Sequence, residues 1–179
     1  MNLPHEVWLE VLSHLDYLGL KKCMCLSKSF HTLTSHALFD KTLFRSRAVV
    51  PADGAITPNE VHLHPAFEYM SFGCGTKIED VCFWPGDKKL PLTESSAAKE
   101  HATDPPVSKL RLQVHRWAPI EVKNKHGVHV LQVMQALCRF FAKGHHRESM
   151  GDHTVWNGWD QTVLDDKSRL LLRAIWFDS

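Results

Sequence analysis

The residues of this chain best equipped for chemistry lie in its last third. Cys138, His145, His146 and His153 carry the sulfur and imidazole nitrogens that hold zinc in four-coordinate sites. Their spacing argues against a metal. Cys138 falls inside an apolar helical run, His145 and His146 decorate a helix end where imidazolium suits the negative dipole, and no C-x-x-C pair supports them. An ordinary surface cluster is the expectation, with no metal and no cofactor. Asp152, His153 and Asp160 offer acid–base groups, but there is no G-x-S-x-G, phosphate loop or H-E-x-x-H to make a reaction concrete. No catalytic residue is assigned. The same stretch, Gly151 to Asp160, sets Trp156 and Trp159 among small and acidic residues, a composition that suits a recognition surface. His153, Trp156 and Trp159 are therefore the expected substrate contacts; the alternative for the tryptophans is a pair of half-buried loop anchors.

At the other end, Cys23 and Cys25 follow Lys21 and Lys22, and adjacent lysines lower a thiol pKa. Packing as small hydrophobes is the better expectation for both. The five cysteines are odd in number, and Cys23 and Cys25 lie too close along a helix to bridge, so reduced thiols are expected. Lys21, Lys22, Lys28, Lys41, Arg45 and Arg47 read as a solvated helix face, because phosphate binding wants denser charge interleaved with aromatics. A formal net charge of +1 supplies no field for nucleic acid or an anionic membrane. No apolar run approaches the length of a membrane span, and no signal-like segment opens the chain, which gives the expectation of a soluble intracellular protein.

The elements that must position these groups divide in two. Leu3-Pro4 followed by Glu6 starts a helix, since proline at the first turn loses no needed N–H and Glu6 complements the positive end. Through about His14, Val7, Trp8, Leu9, Val11, Leu12 and Leu15 occupy an arc of roughly 200° at 100° per residue. A break at Asp16 to Gly19 precedes a second helix from about Leu20 to Lys28, and a third follows over Ser29 to Ser35. Ala37, Leu38, Phe39, Leu43 and Phe44 extend the apolar supply. So short a bundle cannot shelter this many large side chains, and each one left in water forgoes about 1.5–3 kcal/mol. A partner, or the rest of the chain, must cover some of them.

Leu3-Pro4, Glu6, Val11-Leu12, Leu15-Asp16, Leu20, Leu26-Ser27-Lys28, Phe30, Leu33 and Leu38-Phe39 resemble the F-box pattern in order and spacing. Phe39 stands where tryptophan is frequent, and Cys23 and Cys25 where aliphatic or polar residues are common. The resemblance implies a three-helix module that docks on the Skp-type adaptor of SCF cullin-RING ubiquitin ligases. It assigns adaptor contacts to Leu3, Pro4, Val7, Val11, Leu12, Leu15, Leu20 and Leu26, and it implies a non-catalytic receptor subunit. The alternatives are a non-degradative F-box adaptor without a cullin, and a small metal-dependent or hydrolytic enzyme whose helices pack on its own core.

The expected domain organisation is an F-box over 1–47, a connector over 48–59, and a target-binding domain over 60–179. Val61 to Phe72, Ile78 to Trp84 and the alternating Lys109 to His115 read as strands, with Ile120 and Val122 continuing the theme. Residues 85–108, rich in charge, serine and proline, read as a long exposed loop. Val130, Val133, Met134, Leu137 and Phe141 mark one amphipathic helix ended by Gly144, and residues 169–177 a last strand. The fold class is α+β: a three-helix module, then a small α+β domain with a mostly antiparallel sheet. No internal repeat of a leucine-rich or propeller receptor is visible, and the second half resembles the unclassified C-terminal regions of fungal-type F-box proteins.

Overall fold

Proline and two polar caps set the first three helices. α1 (His5–Ser13) starts directly after Pro4. α2 (Tyr17–Met24) starts at Asp16, whose carboxylate accepts from the Gly19 N–H at 2.7 Å, and α3 (Lys28–Thr34) at Ser27, whose hydroxyl accepts from the Phe30 N–H at 3.3 Å. The Asp16 cap outweighs the helix-breaking tendency of Gly19, so α2 begins and ends earlier than its apolar spacing predicts. Trp8 of α1 stands edge-on to Phe30 of α3 with ring centroids 5.1 Å apart. Leu12, Leu20, Leu33, Phe39 and Leu43 fill the centre.

The computed structural model describes residues 3–46, 57–84, 89–114, 117–148, 150–152, 154–164 and 170–177. Most of the expected connector and His153 lie outside them. Among the described residues the rest of the chain builds three small sheets rather than one. β1 (His62–Leu63) will pair far along the chain, while β2 (Met70–Ser71), β3 (Cys82–Phe83) and β4 (Leu90–Pro91) form an antiparallel triplet. β5 (Thr103–Asp104) is the antiparallel partner of β1. β6 (Lys109–Gln113) and β7 (Ile120–Lys123) make a hairpin. α4 (Val130–Phe141) then buries Val130, Val133, Met134, Leu137, Cys138 and Phe141, the single-faced stripe that its spacing predicts. α4 stops at Phe141, and Gly144 opens the short α5 (Gly144–Glu148) instead of closing α4. β8 (Val155–Leu164) and β9 (Leu170–Phe177) complete a four-stranded sheet in the order β7-β6-β9-β8. Its β6–β9 pairing is parallel and its other pairings are antiparallel. The class is α+β, mostly antiparallel. No helix among the described residues is long and apolar enough to cross a membrane.

Short 3-10 helices at Pro65–Tyr69 and Ile78–Asp80 interrupt the strands expected over 61–72 and 78–84, and two longer segments differ from expectation as well. Residues 89–108 are not an exposed loop: Leu92, Ala97, Ala98, Glu100, His101, Ala102, Thr103 and Val107 are buried. Their backbone supplies the reason. The His101 N–H donates to the Phe44 carbonyl, the Ala102 carbonyl accepts from His64, the Ala102 N–H donates to Val128, and the Glu100 carbonyl accepts from Val130 at the start of α4. This stretch is a spine on which helical module, β1 region and α4 all meet, and hydrogen bonding to three neighbours meets the condition for burying irregular backbone. The second difference is residues 155–160, which run in strand β8 rather than in a surface loop.

Candidate adaptor face and the buried seam behind it

The wide apolar arc of α1 serves two purposes. Leu12 turns inward, and Trp8, Leu9 and Leu15 pack partly against the core. Val7 and Val11 stay 42% and 48% exposed, as Leu3 does at 49%, while Leu26 beyond α2 is 68% exposed. Residues four apart lie on one helical face, so Val7 and Val11 form a stripe turned away from the protein's own core, and the exposed Leu3 precedes the helix. Pro4 is exposed beside it. Of the eight expected adaptor contacts, Leu12 and Leu20 are corrections. At 2% and 0% exposure they lie in the interior of the module: the inner half of the α1 arc, with Leu12, must close the bundle, and Leu20 of α2 fills the same centre.

The opposite side of the module carries the feature that sequence reading missed. Lys21, expected on a solvated face, is buried, and its ammonium donates to Glu100 and to the Ser96 hydroxyl at 2.8 Å. The second Glu100 oxygen accepts from the Tyr17 hydroxyl at 2.9 Å and from His64 Nε2 at 3.1 Å. His64 Nδ1 in turn accepts from the Ala66 N–H at 3.0 Å, which fixes the neutral tautomer with its proton on Nε2. Phe44 and Tyr17 flank the imidazole with centroids 4.7 and 4.8 Å away. One carboxylate from the spine thus meets three donors, two of them on α2.

The electrostatics follow from that arrangement. Burial alone raises the Glu100 pKa, but the His64 hydrogen bond and the Lys21 charge outweigh it, and the carboxyl is held below its ordinary value. Burial lowers both His64 and Lys21 against the opposing pull of Glu100, and it raises the Tyr17 phenol, which remains a donor. Apart from the exposed Ser96, the polar groups here are buried and paired with one another, the chemistry of a fastening. A docking out of register would strand a buried carboxylate, which is costly.

The remaining expectations fall as follows. Cys138 is buried in α4, its thiol pushed up to about 11 by burial, and His146 stacks on Phe140 at 3.9 Å. The side chain of His145 lies outside the described ones, and among the described residues no three His, Cys, Asp or Glu are grouped to hold a metal. Cys23 is half-buried, whereas Cys25, expected to pack, is exposed at the end of α2. Trp156 is 3% exposed and Trp159 half-buried against Phe67. Trp156 is therefore core, not an open contact.

Comparison with known families agrees with this division. An F-box domain model matches residues 1–42, the three helices with their open stripe, so this is an F-box protein, of the class that binds a Skp-type adaptor in SCF-type complexes. Residues 78–174, more than half of the chain, match a family of unknown function (DUF6699), and the chain belongs to that family. No curated protein and no solved structure matches it. Glu100 is thus the DUF6699 residue that grips the F-box.

Proposed function

We propose that this protein is the substrate-recognition subunit of an SCF-type cullin-RING ubiquitin ligase. The Skp-type adaptor docks on the α1 stripe and brings a cullin, while the DUF6699 domain holds a target protein inside the cell. The observation that carries the reading is the exposure of Leu3, Val7, Val11 and Leu26 on a module whose interior is already complete. Such apolar surface is unfavourable in water and is satisfied by a protein partner. The buried seam supports the geometric half of the reading. Receptor function requires that a target be presented at a fixed position relative to the ubiquitin-loaded enzyme, and a domain locked to the F-box by Tyr17, Lys21, His64 and Glu100 keeps that position. The protein's own part is placement rather than bond-making.

Affinity purification of the native protein beside Val7→Asp and Val11→Asp tests this. A carboxylate desolvated at an apolar interface is costly, and both positions are exposed in the free chain, so folding is spared. Adaptor and cullin are expected with the native protein and are lost from both variants. Equal adaptor recovery from all three would remove the docking assignment, and adaptor without cullin would move the protein to a non-degradative adaptor complex.

A further inference from the structure

The two end strands of the four-stranded sheet are finished differently. β8 bulges where its register with β9 shifts, and its outer side is occupied: Trp156 donates to the Phe72 carbonyl, Cys74 donates to the Thr154 carbonyl, and Gly73 bridges Val155. β7 keeps an unbroken register with β6 from Ile120 to Lys123. One step further on, the Asn124 N–H donates to the Ser108 carbonyl at 2.9 Å. Hydrogen-bonded and non-hydrogen-bonded pairs alternate along an antiparallel ladder, so Ile120, Val122 and Asn124 turn their N–H and C=O groups to β6, while Glu121 and Lys123 turn theirs outward. Among the described residues those outward groups meet no backbone partner, and both residues are exposed. Proteins guard such edges with lysine, proline, bulges or a covering segment. Lys123 is a guard against a neutral or positive strand, but beside a carboxylate it becomes an attraction. Glu121 lies two residues away, hence on the same face, with its carboxylate 2.5 Å from the Lys123 ammonium.

We infer that β7 is a self-association edge, which joins two copies of this chain antiparallel about a two-fold axis at Val122. In that register Glu121 faces Lys123 of the second copy and Lys123 faces its Glu121, each facing pair exchanging both of its N–H···O bonds. The charges select this register. A shift to the next hydrogen-bonded register in one direction sets Glu121 against Glu121, and in the other Lys123 against Lys123, and like charges directly opposite are unfavourable. The first of these shifts also sets Lys123 against Pro119, which has no N–H to give. The neighbouring strand adds to the preference. Lys123 already faces Lys109 of β6, and Glu121 faces Arg111, whose Nε is 3.8 Å from its carboxylate. A second copy therefore places a carboxylate on the open side of the Lys109–Lys123 pair and an ammonium on the open side of Glu121, so the charge pattern of the edge is its own complement. This pairing does not rest on the ligase reading.

Sedimentation equilibrium of the full chain at low salt tests it, with Glu121→Lys and Lys123→Glu checked for folding by circular dichroism. So short a strand makes a small interface, and the native pair is expected to be weak, with a Kd of about 10–100 µM. Either reversal alone sets like charges at both facing positions and should weaken association about tenfold or more. In a mixture of the two variants the introduced lysine faces the introduced glutamate and the native Lys123 faces the native Glu121, so the mixture should associate about as tightly as the native chain. The double variant Glu121→Lys/Lys123→Glu should do so by itself. A native chain still monomeric at about 0.5 mM overturns the proposal. Association unchanged in both single variants overturns it as well, placing the contact on another face such as the α1 stripe. A mixture and a double variant no tighter than the single variants would show that the facing charges do not set the pairing, and this too overturns it.

Discussion

The ammonium of Lys21 on α2 and the carboxylate of Glu100 in the DUF6699 domain form an ion pair in which the side chains are 5% and 3% exposed. It joins positions 79 residues apart in the chain and lies in the plane where the two sequence families meet. A buried pair is a poor source of net stability, but removing one member leaves the other desolvated and unpaired. Glu100→Ala is therefore expected to destabilise the whole chain by about 3–5 kcal/mol. The double variant Lys21→Met/Glu100→Leu should recover a substantial part of that loss. Urea denaturation followed by circular dichroism measures both. A Glu100→Ala midpoint equal to the native one would mean that the two parts do not depend on this contact.

Acid should loosen the same seam. His64 is held neutral because burial lowers its pKa below the ordinary 6.5, although Glu100 pulls the other way and the Lys21 charge adds to the lowering. Between the depressed value and 6.5 the unfolded chain binds more protons than the folded one, so stability falls as pH drops through that window. Burial depresses His101 and His129 likewise, with the neighbouring His129 adding to the effect on His101, and their sign is the same. Glu100 extends the loss to lower pH, as its carboxylate is protonated at its depressed folded value. The urea midpoint should be lower at about pH 5.5 than at about pH 7.5, with a shallower dependence in His64→Gln. The Tyr17 hydroxyl and the Phe44 and Phe67 rings that face His64 do not titrate in this range, which leaves the imidazole and its charged partners to set the slope.

On α1, two leucine-sized positions one residue apart should behave oppositely. Leu12→Ala removes a side chain 2% exposed at the centre of the bundle and should cost about 2–5 kcal/mol, with adaptor binding reduced only in proportion to unfolding. Val11→Ala removes a 48% exposed side chain and should leave the thermal midpoint nearly unchanged while weakening adaptor binding. Thermal melts beside calorimetric titration with purified adaptor separate the two. Comparable stability losses from both variants would contradict the two-sided reading of this helix.

What could be read from the residues depended on periodicity. The helices of the F-box, α4 and the hairpin strands β6 and β7 each repeat an apolar spacing, and that spacing reports the local fold directly. The spine from Leu92 to Val107 has no period. It is buried through backbone hydrogen bonds and small residues such as Ala97, Ala98 and Ala102, so its charge and proline content pointed to solvent. Lys21 reads as solvated for a related reason: a lysine suggests exposure unless its counter-ion is known, and Glu100 is distant in sequence. The β8 bulge hid a strand because Asn157-Gly158 interrupts the alternation that would have marked it. Val7 and Val11 read as apolar surplus, but which half of the α1 arc faces outward depends on how α3 packs.

Gly127 offers the last test, since two separate constraints meet there. Its backbone lies at φ +102°, a conformation that side chains disfavour, and it forms the turn from which Val128 enters its bonds with Val107 and Ala102. A β-carbon at this position would stand 2.6 Å from His101 Nδ1 and 3.1 Å from Pro106 Cβ. The His101 ring has little room to yield: it is 9% exposed, its centroid is 5.1 Å from that of His129, and its own backbone is tied to Phe44. Gly151 provides the control, with φ +61° but, among the described residues and outside its chain neighbours, no atom within 4 Å of its β-carbon position. Gly151→Ala should therefore cost only the backbone term, about 1–2 kcal/mol. Gly127→Ala adds the displacement of His101 to that term, and its loss should exceed the Gly151→Ala loss by about 1–3 kcal/mol. Urea midpoints of the two variants decide the matter, because equal losses would mean that the spine beside the F-box can shift to make room.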